Sequence, residues 1–163
     1  MKKKRVEDST TIISQVMMPT DANNQGFVHG GNILKLVDQA AGVCAMRHSE
    51  SMCVTAAIDA VHFIEPIKLG ELVTLKASVN YVGHTSMEIG VRIESEDLKT
   101  RKVRHTNSCY LTMVAIDNKG KPKKVPKLEC VSKEQMKRCK RAEMRRKIKL
   151  KELKEIKKSL KKN

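Results

Sequence analysis

Tryptophan is absent from these 163 residues, and aromatic residues make up only 2% of them. A platform for single-stranded nucleic acid stacks bases on exposed rings, so this composition argues against one. The core must be assembled instead from Val, Ile, Leu, Met and Ala. No apolar run reaches the roughly 20 residues a membrane-spanning helix needs. The opening MKKKRVEDST is basic, but no apolar stretch follows it, so no signal peptide is expected. Cys44, Cys53, Cys109, Cys130 and Cys139 include no CxxC pair, which removes the usual zinc and thioredoxin-like spacings. A cytoplasmic location with reduced thiols is the resulting expectation. There is no Gly-x-Ser-x-Gly elbow, which weighs against a serine hydrolase, and no internal repeat.

What is present is a chain of one-domain size with 40% hydrophobic residues, enough for a real core. The net charge is +15, but it is concentrated at one end. The segment 131–163 holds 15 Lys and Arg against 4 Asp and Glu, a surplus of +11, which leaves +4 for everything before it. The basicity therefore describes the tail more than the body. Two parts are expected: a domain over 8–128 and a basic helical extension over 131–163.

Periodicity orders the body. Thr10–Met18 reads as a strand. Asn32–Ala45 has helical spacing and is apolar almost all round, as expected of a buried central helix. Gly42 inside it predicts close packing against a sheet. Val54–Ile64, Glu71–Val82, Ser86–Glu94 and Val103–Asp117 alternate in part and are rich in β-branched residues, so four more strands follow, divided by turn signals. One apolar helix followed by an antiparallel meander is an α+β arrangement, with the sheet wrapped around the helix. Lys121–Lys127 reads as a linker. Ser132 and Gln135 form a capping-box pattern ahead of a second, strongly basic helix.

The chemistry-bearing stretch is PTDANNQGFVHGGNILKLVDQAAG, Pro19–Gly42. The first amides of a helix lack intrahelical acceptors and sit at the positive end of its dipole. The amides at Gly30 and Gly31 can therefore hold a developing oxyanion. Equally, the two glycines serve a tight turn or close packing. Asp38 lies about two turns into the helix. A carboxylate among alanines and leucines is either ion-paired or a general base or nucleophile tuned by its surroundings. His29 is expected to position the loop. His62, His84 and His105 lack ligand-like pairing, so no metal site is expected. Cys44 and Cys53 read as small core residues.

The runs MPTDANNQGFVHGGNILKLVDQAAG, VTAAIDAVHFIEPIKLGELVTLKASVNYVGHTSMEIGV and RHTNSCYLTMVAIDNKGKPKKVPKL resemble, in order, the hotdog-fold acyl-CoA thioesterases of the acyl-CoA hydrolase family. The resemblance spans roughly Thr10–Leu128. It implies a long central helix wrapped by an antiparallel sheet, dimers with one continuous sheet, and commonly a homohexamer of three dimers. It implies hydrolysis of acyl-CoA to a free fatty acid and coenzyme A, with no metal or redox cofactor. The implied catalytic pair is Asn23 of the loop and Asp38 of the partner's helix, with Asp21 a second candidate for the loop role. Gly30 and Gly31 become the implied oxyanion donors. Arg101, Lys102 and Arg104, with Ser86 in the Gly83–Ser86 turn, are the candidates for contacts to CoA. The alternatives are an acyl-CoA-binding regulator without turnover, and a protein that attracts nucleic acid through its tail. No specific nucleic-acid partner is expected. The segment 131–163 exceeds the matched region, and it is read as a solvated helix or disorder, with a dimer-spanning helix or a weak contact to anionic membranes as the other readings.

Overall fold

His29 decides where the central helix begins. It is the N-cap of α1 (Gly30–Ser49), and its own Nδ1 accepts the Gly31 N–H at 2.9 Å. Such a cap satisfies one of the orphan donors of the first turn. At the other end Glu50 adopts a left-handed conformation (φ 52°) and its N–H returns to the Met46 carbonyl. Arg47 in the last turn complements the negative end of the dipole. In this computed structural model, which describes residues 3–160, α1 extends beyond the expected Asn32–Ala45 at both ends.

The strands are β1 (Lys4–Arg5), β2 (Thr11–Val16), β3 (Met52–Ile58), β4 (Leu72–Val82), β5 (Ser86–Asp97), β6 (Lys102–Ile116) and β7 (Leu128–Glu129). Five of them form one sheet in the order β2-β4-β5-β6-β3, with every neighbouring pair antiparallel. The sheet curls over α1, which packs against all five strands. This is the hotdog α+β architecture. β1 and β7 make a separate short parallel pair that the periodicity does not reveal.

Alternation selects the core. Leu75, Ile89, Ile93 and Leu111 point inward from the sheet and meet Ile33 and Val37 of the helix, all nearly or fully buried. No aromatic ring takes part in that buried core, as the composition requires. Gly42 departs from its expected reason. A Cβ there would meet nothing within 4 Å, so it is not packed tightly against the sheet. It lies one turn from Asp38 on the same helix face and leaves that face open.

The expected strand Val54–Ile64 ends early, at Ile58. Beyond Asp59, whose N–H still reaches the Tyr110 carbonyl, the chain passes irregularly along β6. There the Ile64 N–H bonds to Thr106, and the Phe63 ring settles over Gly30. The apolar alternation of Val61 and Phe63 imitates a strand but serves this irregular passage.

The chain divides into two compact units at Glu129/Cys130. The second contains α2 (Lys133–Leu160). The expected capping box forms: Ser132 Oγ accepts the Gln135 N–H at 3.1 Å, and the Gln135 side chain accepts the Ser132 N–H at 3.2 Å. Cys44, Cys53 and Cys109 are free thiols, whereas Cys130 and Cys139 have their sulfurs at bonding distance. Their nine-residue separation gives no motif, yet the fold at the start of α2 brings the two sulfurs together. The last three positions of the 131–163 extension lie outside the described residues.

Candidate active site

Asp38 projects from α1 beneath β3. The Thr55 hydroxyl donates to its Oδ1 at 2.5 Å. Thr55 is a residue that the sequence reading missed. A single hydroxyl in VTAA fits any strand, and the contact that gives it meaning joins residues 17 positions apart. Asp38 is half-buried and its Oδ2 has no hydrogen-bond partner among the described residues. One oxygen is thus fixed and the other is available.

Asn23 lies in the loop ahead of α1, away from Asp38. Its Oδ1 accepts the N–H groups of Gln25 (2.9 Å) and Phe27 (3.1 Å), which folds the loop back on itself. That leaves the Nδ2 amide as its donor. Asp21 is committed to the scaffold. Its carboxylate accepts the Met18 N–H at 2.8 Å and the Asn32 amide at 3.2 Å, and its carbonyl accepts the His29 N–H at 2.7 Å. Asp21 clamps the loop to the helix start, so Asn23 is the loop group with a free end.

The two glycines have local reasons. A Cβ on Gly30 would come within 3.2 Å of the Phe63 ring, and one on Gly31 within 3.0 Å of His29 Nδ1. The expectation that both amides stand ready for an oxyanion needs correction. The Gly31 N–H is taken by His29, whereas the Gly30 N–H has no partner among the described residues.

The basic candidates also divide. Arg104 is occupied by Glu65 through Nη1 (2.6 Å) and by Glu71 through Nη2 (2.7 Å), and Ser95 donates to Glu71 at 2.5 Å. Hydrogen bonding to Glu65, with Glu71 alongside, raises the Arg104 pKa above its ordinary value. This guanidinium holds the end of β6 to the turn before β4, and it is not available to a phosphate as the chain stands. Arg101, in a left-handed conformation (φ 59°), and Lys102 sit at the β5–β6 hairpin. Ser86 starts β5 at the other end. Twelve residues of extended chain separate the ends of β5, roughly 35–40 Å. Ser86 and the Arg101–Lys102 hairpin therefore cannot contact one phosphate within a single chain.

A pattern follows. Asn23, Gly30 and Gly31 cluster at the N-terminal end of α1. Asp38 and Thr55 lie farther along, level with Met113 of β6 and Met87 of β5, one residue from Ser86. From Gly30 to Asp38 the helix rises about 12 Å, far beyond hydrogen-bond reach of one reacting carbonyl. In the single chain the two groups of residues lie apart. Beside Asp38, β3 pairs only with β6 among the described residues, and Met52, Val54 and Ile58 are exposed along it.

The thiols do not compete for a nucleophile's role. Burial pushes Cys44 up to about 12 and Cys109 up to about 11, and burial raises Cys53 as well. Among the described residues no three His, Cys, Asp or Glu side chains converge as a metal site would require, and no helix is long and apolar enough to cross a membrane.

Comparison with known proteins fits this geometry. The family model of the thioesterase superfamily matches residues 25–102. Protein VdlD of Helicobacter pylori is 46% identical over 138 residues, covering 82% of this chain and 79% of that protein. An apo-hexameric acyl-CoA thioesterase superposes with a TM-score of 0.91 at 37% identity, covering 94% of this chain and 98% of that one. The acyl-CoA hydrolase of Staphylococcus aureus, solved with butyryl coenzyme A, coenzyme A and coenzyme A disulfide, gives 0.89 at 31% identity over 98% and 97% of the two chains. Those alignments take in most of segment 131–163, which the quoted motifs do not reach. The S. aureus enzyme has also been solved with one Asn, one Asp or one Thr replaced by alanine. The intervals between those three positions are the intervals between Asn23, Asp38 and Thr55. By fold, by relatives and by the order of its motifs, this chain belongs to the thioesterase superfamily, among its hotdog-fold acyl-CoA thioester hydrolases.

Proposed function

We propose that the protein hydrolyses acyl-CoA to a free fatty acid and coenzyme A at a composite site, with Asp38 from one copy and the Asn23–Gly31 loop from its partner. The observation that carries this reading is the Asp38–Thr55 pair beside a free, apolar sheet edge, with the oxyanion end of α1 out of its reach in the same chain. The matching intervals in the S. aureus variants support the choice of Asn23, Asp38 and Thr55.

In this mechanism Thr55 fixes Asp38 Oδ1, and Oδ2 takes a proton from water. The resulting hydroxide attacks the thioester carbonyl carbon. The partner's Gly30 amide and the Asn23 Nδ2 group receive the oxyanion, joined by the Gly31 amide once the His29 ring turns aside. The C–S bond then breaks, and the CoA sulfur leaves with the proton that Asp38 had accepted. This chemistry calls for no metal or redox group. Arg101 and Lys102, whose side chains meet no carboxylate among the described residues as Arg104 does, are the candidates for the CoA phosphates. Ser86 serves the Asp38 end. Edge-to-edge pairing of β3 gives the dimer, and dimers assemble into a hexamer like that of the related thioesterase.

Thiol release from a panel of short to long acyl-CoAs tests the activity. Folded protein that binds CoA yet turns over none of them is the regulator of the alternative reading. Thr55→Val tests the positioning role. It removes a charge-assisted hydrogen bond and is expected to lower kcat about tenfold or more with little change in KM. Thr55→Ser keeps the hydroxyl and is expected to retain activity. Equal losses in both variants would assign Thr55 to packing.

A further inference from the structure

The described helix α2 holds 13 Lys and Arg against 4 Glu. It also exposes large aliphatic side chains that a merely solvated helix has no use for. Leu150, Leu153, Ile156 and Leu160 are 46–72% exposed. At 100° per residue they fall within an arc of about 120°. Lys147, Lys151, Lys154 and Lys158 lie outside that arc, on a side that also carries the exposed Met144 and Ile148. Lys149 and Lys157 interrupt the aliphatic arc, but their long stems let an ammonium reach outward past an apolar layer.

We propose that α2 is an interfacial anchor that docks the protein on an anionic lipid bilayer. Two features of the chain select this occupant. A second copy is a poorer electrostatic match, because the chain outside segment 131–163 is itself net positive, at +4. Symmetric pairing of two α2 helices would set like charges against each other. Nucleic acid would satisfy the lysines but not the aliphatic arc, and α2 has no aromatic ring for base stacking. An anionic bilayer satisfies both. Its headgroups attract the lysines, and its acyl boundary receives Leu150, Leu153, Ile156 and Leu160. The anchor does not depend on the catalytic reading, and its test is a binding measurement.

The full chain is sedimented with vesicles of phosphatidylcholine alone and of phosphatidylcholine mixed with phosphatidylglycerol, at low and high salt. One variant carries Leu150→Gln, Leu153→Gln, Ile156→Gln and Leu160→Gln. A second carries Gln at Lys147, Lys151, Lys154 and Lys158. Gln keeps helix propensity close to that of Leu and Lys, and helicity and mass in solution are checked by circular dichroism and light scattering. The unmodified chain is expected to bind only the anionic vesicles, and less at high salt. Each variant is expected to lose about tenfold or more in partitioning. No preference for anionic vesicles in the unmodified chain overturns the proposal outright. Full binding by the aliphatic variant, with duplex DNA competing equally, assigns α2 to general polyanion attraction instead. A drop in assembled mass in the aliphatic variant assigns the arc to contacts between copies.

Discussion

Asp38→Ala is expected to lower acyl-CoA hydrolysis by about 10²–10⁴-fold, the range of a positioned general base, while CoA still binds. The side chain removed is half-buried and makes one hydrogen bond, to Thr55. Alanine suits the middle of a helix, so α1 should persist and the melting temperature should change little. Loss of turnover without loss of fold is then a statement about chemistry. Single-turnover thiol release separates the chemical step from binding, and isothermal titration with CoA checks the binding arm. A variant that keeps wild-type turnover would remove Asp38 from the mechanism. Asp38→Asn refines the result. It preserves shape but cannot take a proton, so it should be about as impaired as the alanine variant.

Charge placed on the β3 edge is expected to abolish activity without touching any catalytic group. Met52, Val54 and Ile58 lie exposed on a strand with one open side, and long apolar edges are covered in folded assemblies. Val54→Asp with Ile58→Asp sets carboxylates against their own symmetry mates, an unpaired arrangement costly to bury. Light scattering should report single chains. Hydrolysis should fall about 10²–10³-fold, as expected when the oxyanion donors are withdrawn, although Asp38 and Thr55 remain in place. Single chains with full activity would contradict the composite site. The low aromatic content sharpens the test, because this edge relies on aliphatic contacts that a charge disrupts directly.

The fold was legible where periodicity is strong. The spacing of Ile33, Leu36, Val37, Ala40 and Ala41 announces a buried helix, and alternation through β5 and β6 announces the sheet. The end of β3 was not, because Val61 and Phe63 alternate like a strand while their backbone passes irregularly along β6. Asp38 stood out as an acid in an apolar helix. Thr55 did not, since a threonine in a strand breaks no pattern and its partner lies far away in sequence. The occupation of Arg104 by Glu65 and Glu71 was hidden for the same reason. Sequence order also concealed that Ser86 and Arg101 lie at opposite ends of one hairpin, since adjacency of motifs along a chain says nothing about 12 residues of extended strand between them. His29 was half legible: it was expected to position the loop, but only the geometry shows it capping the helix and occupying the Gly31 amide.

The central claim is that each site draws Asp38 from one copy and Asn23 from another. Co-expression of Asn23→Ala and Asp38→Ala chains, each carrying a different affinity tag, tests it most directly. In random pairing of a two-fold dimer, mixed dimers hold one intact site and one doubly substituted site, so the mixture should recover about a quarter of wild-type turnover from two nearly inactive parents. Dual-tag purification should enrich that activity. Mixed dimers no more active than their parents would place Asn23 and Asp38 in the same chain's site, or take Asn23 out of catalysis, and the composite site would fall.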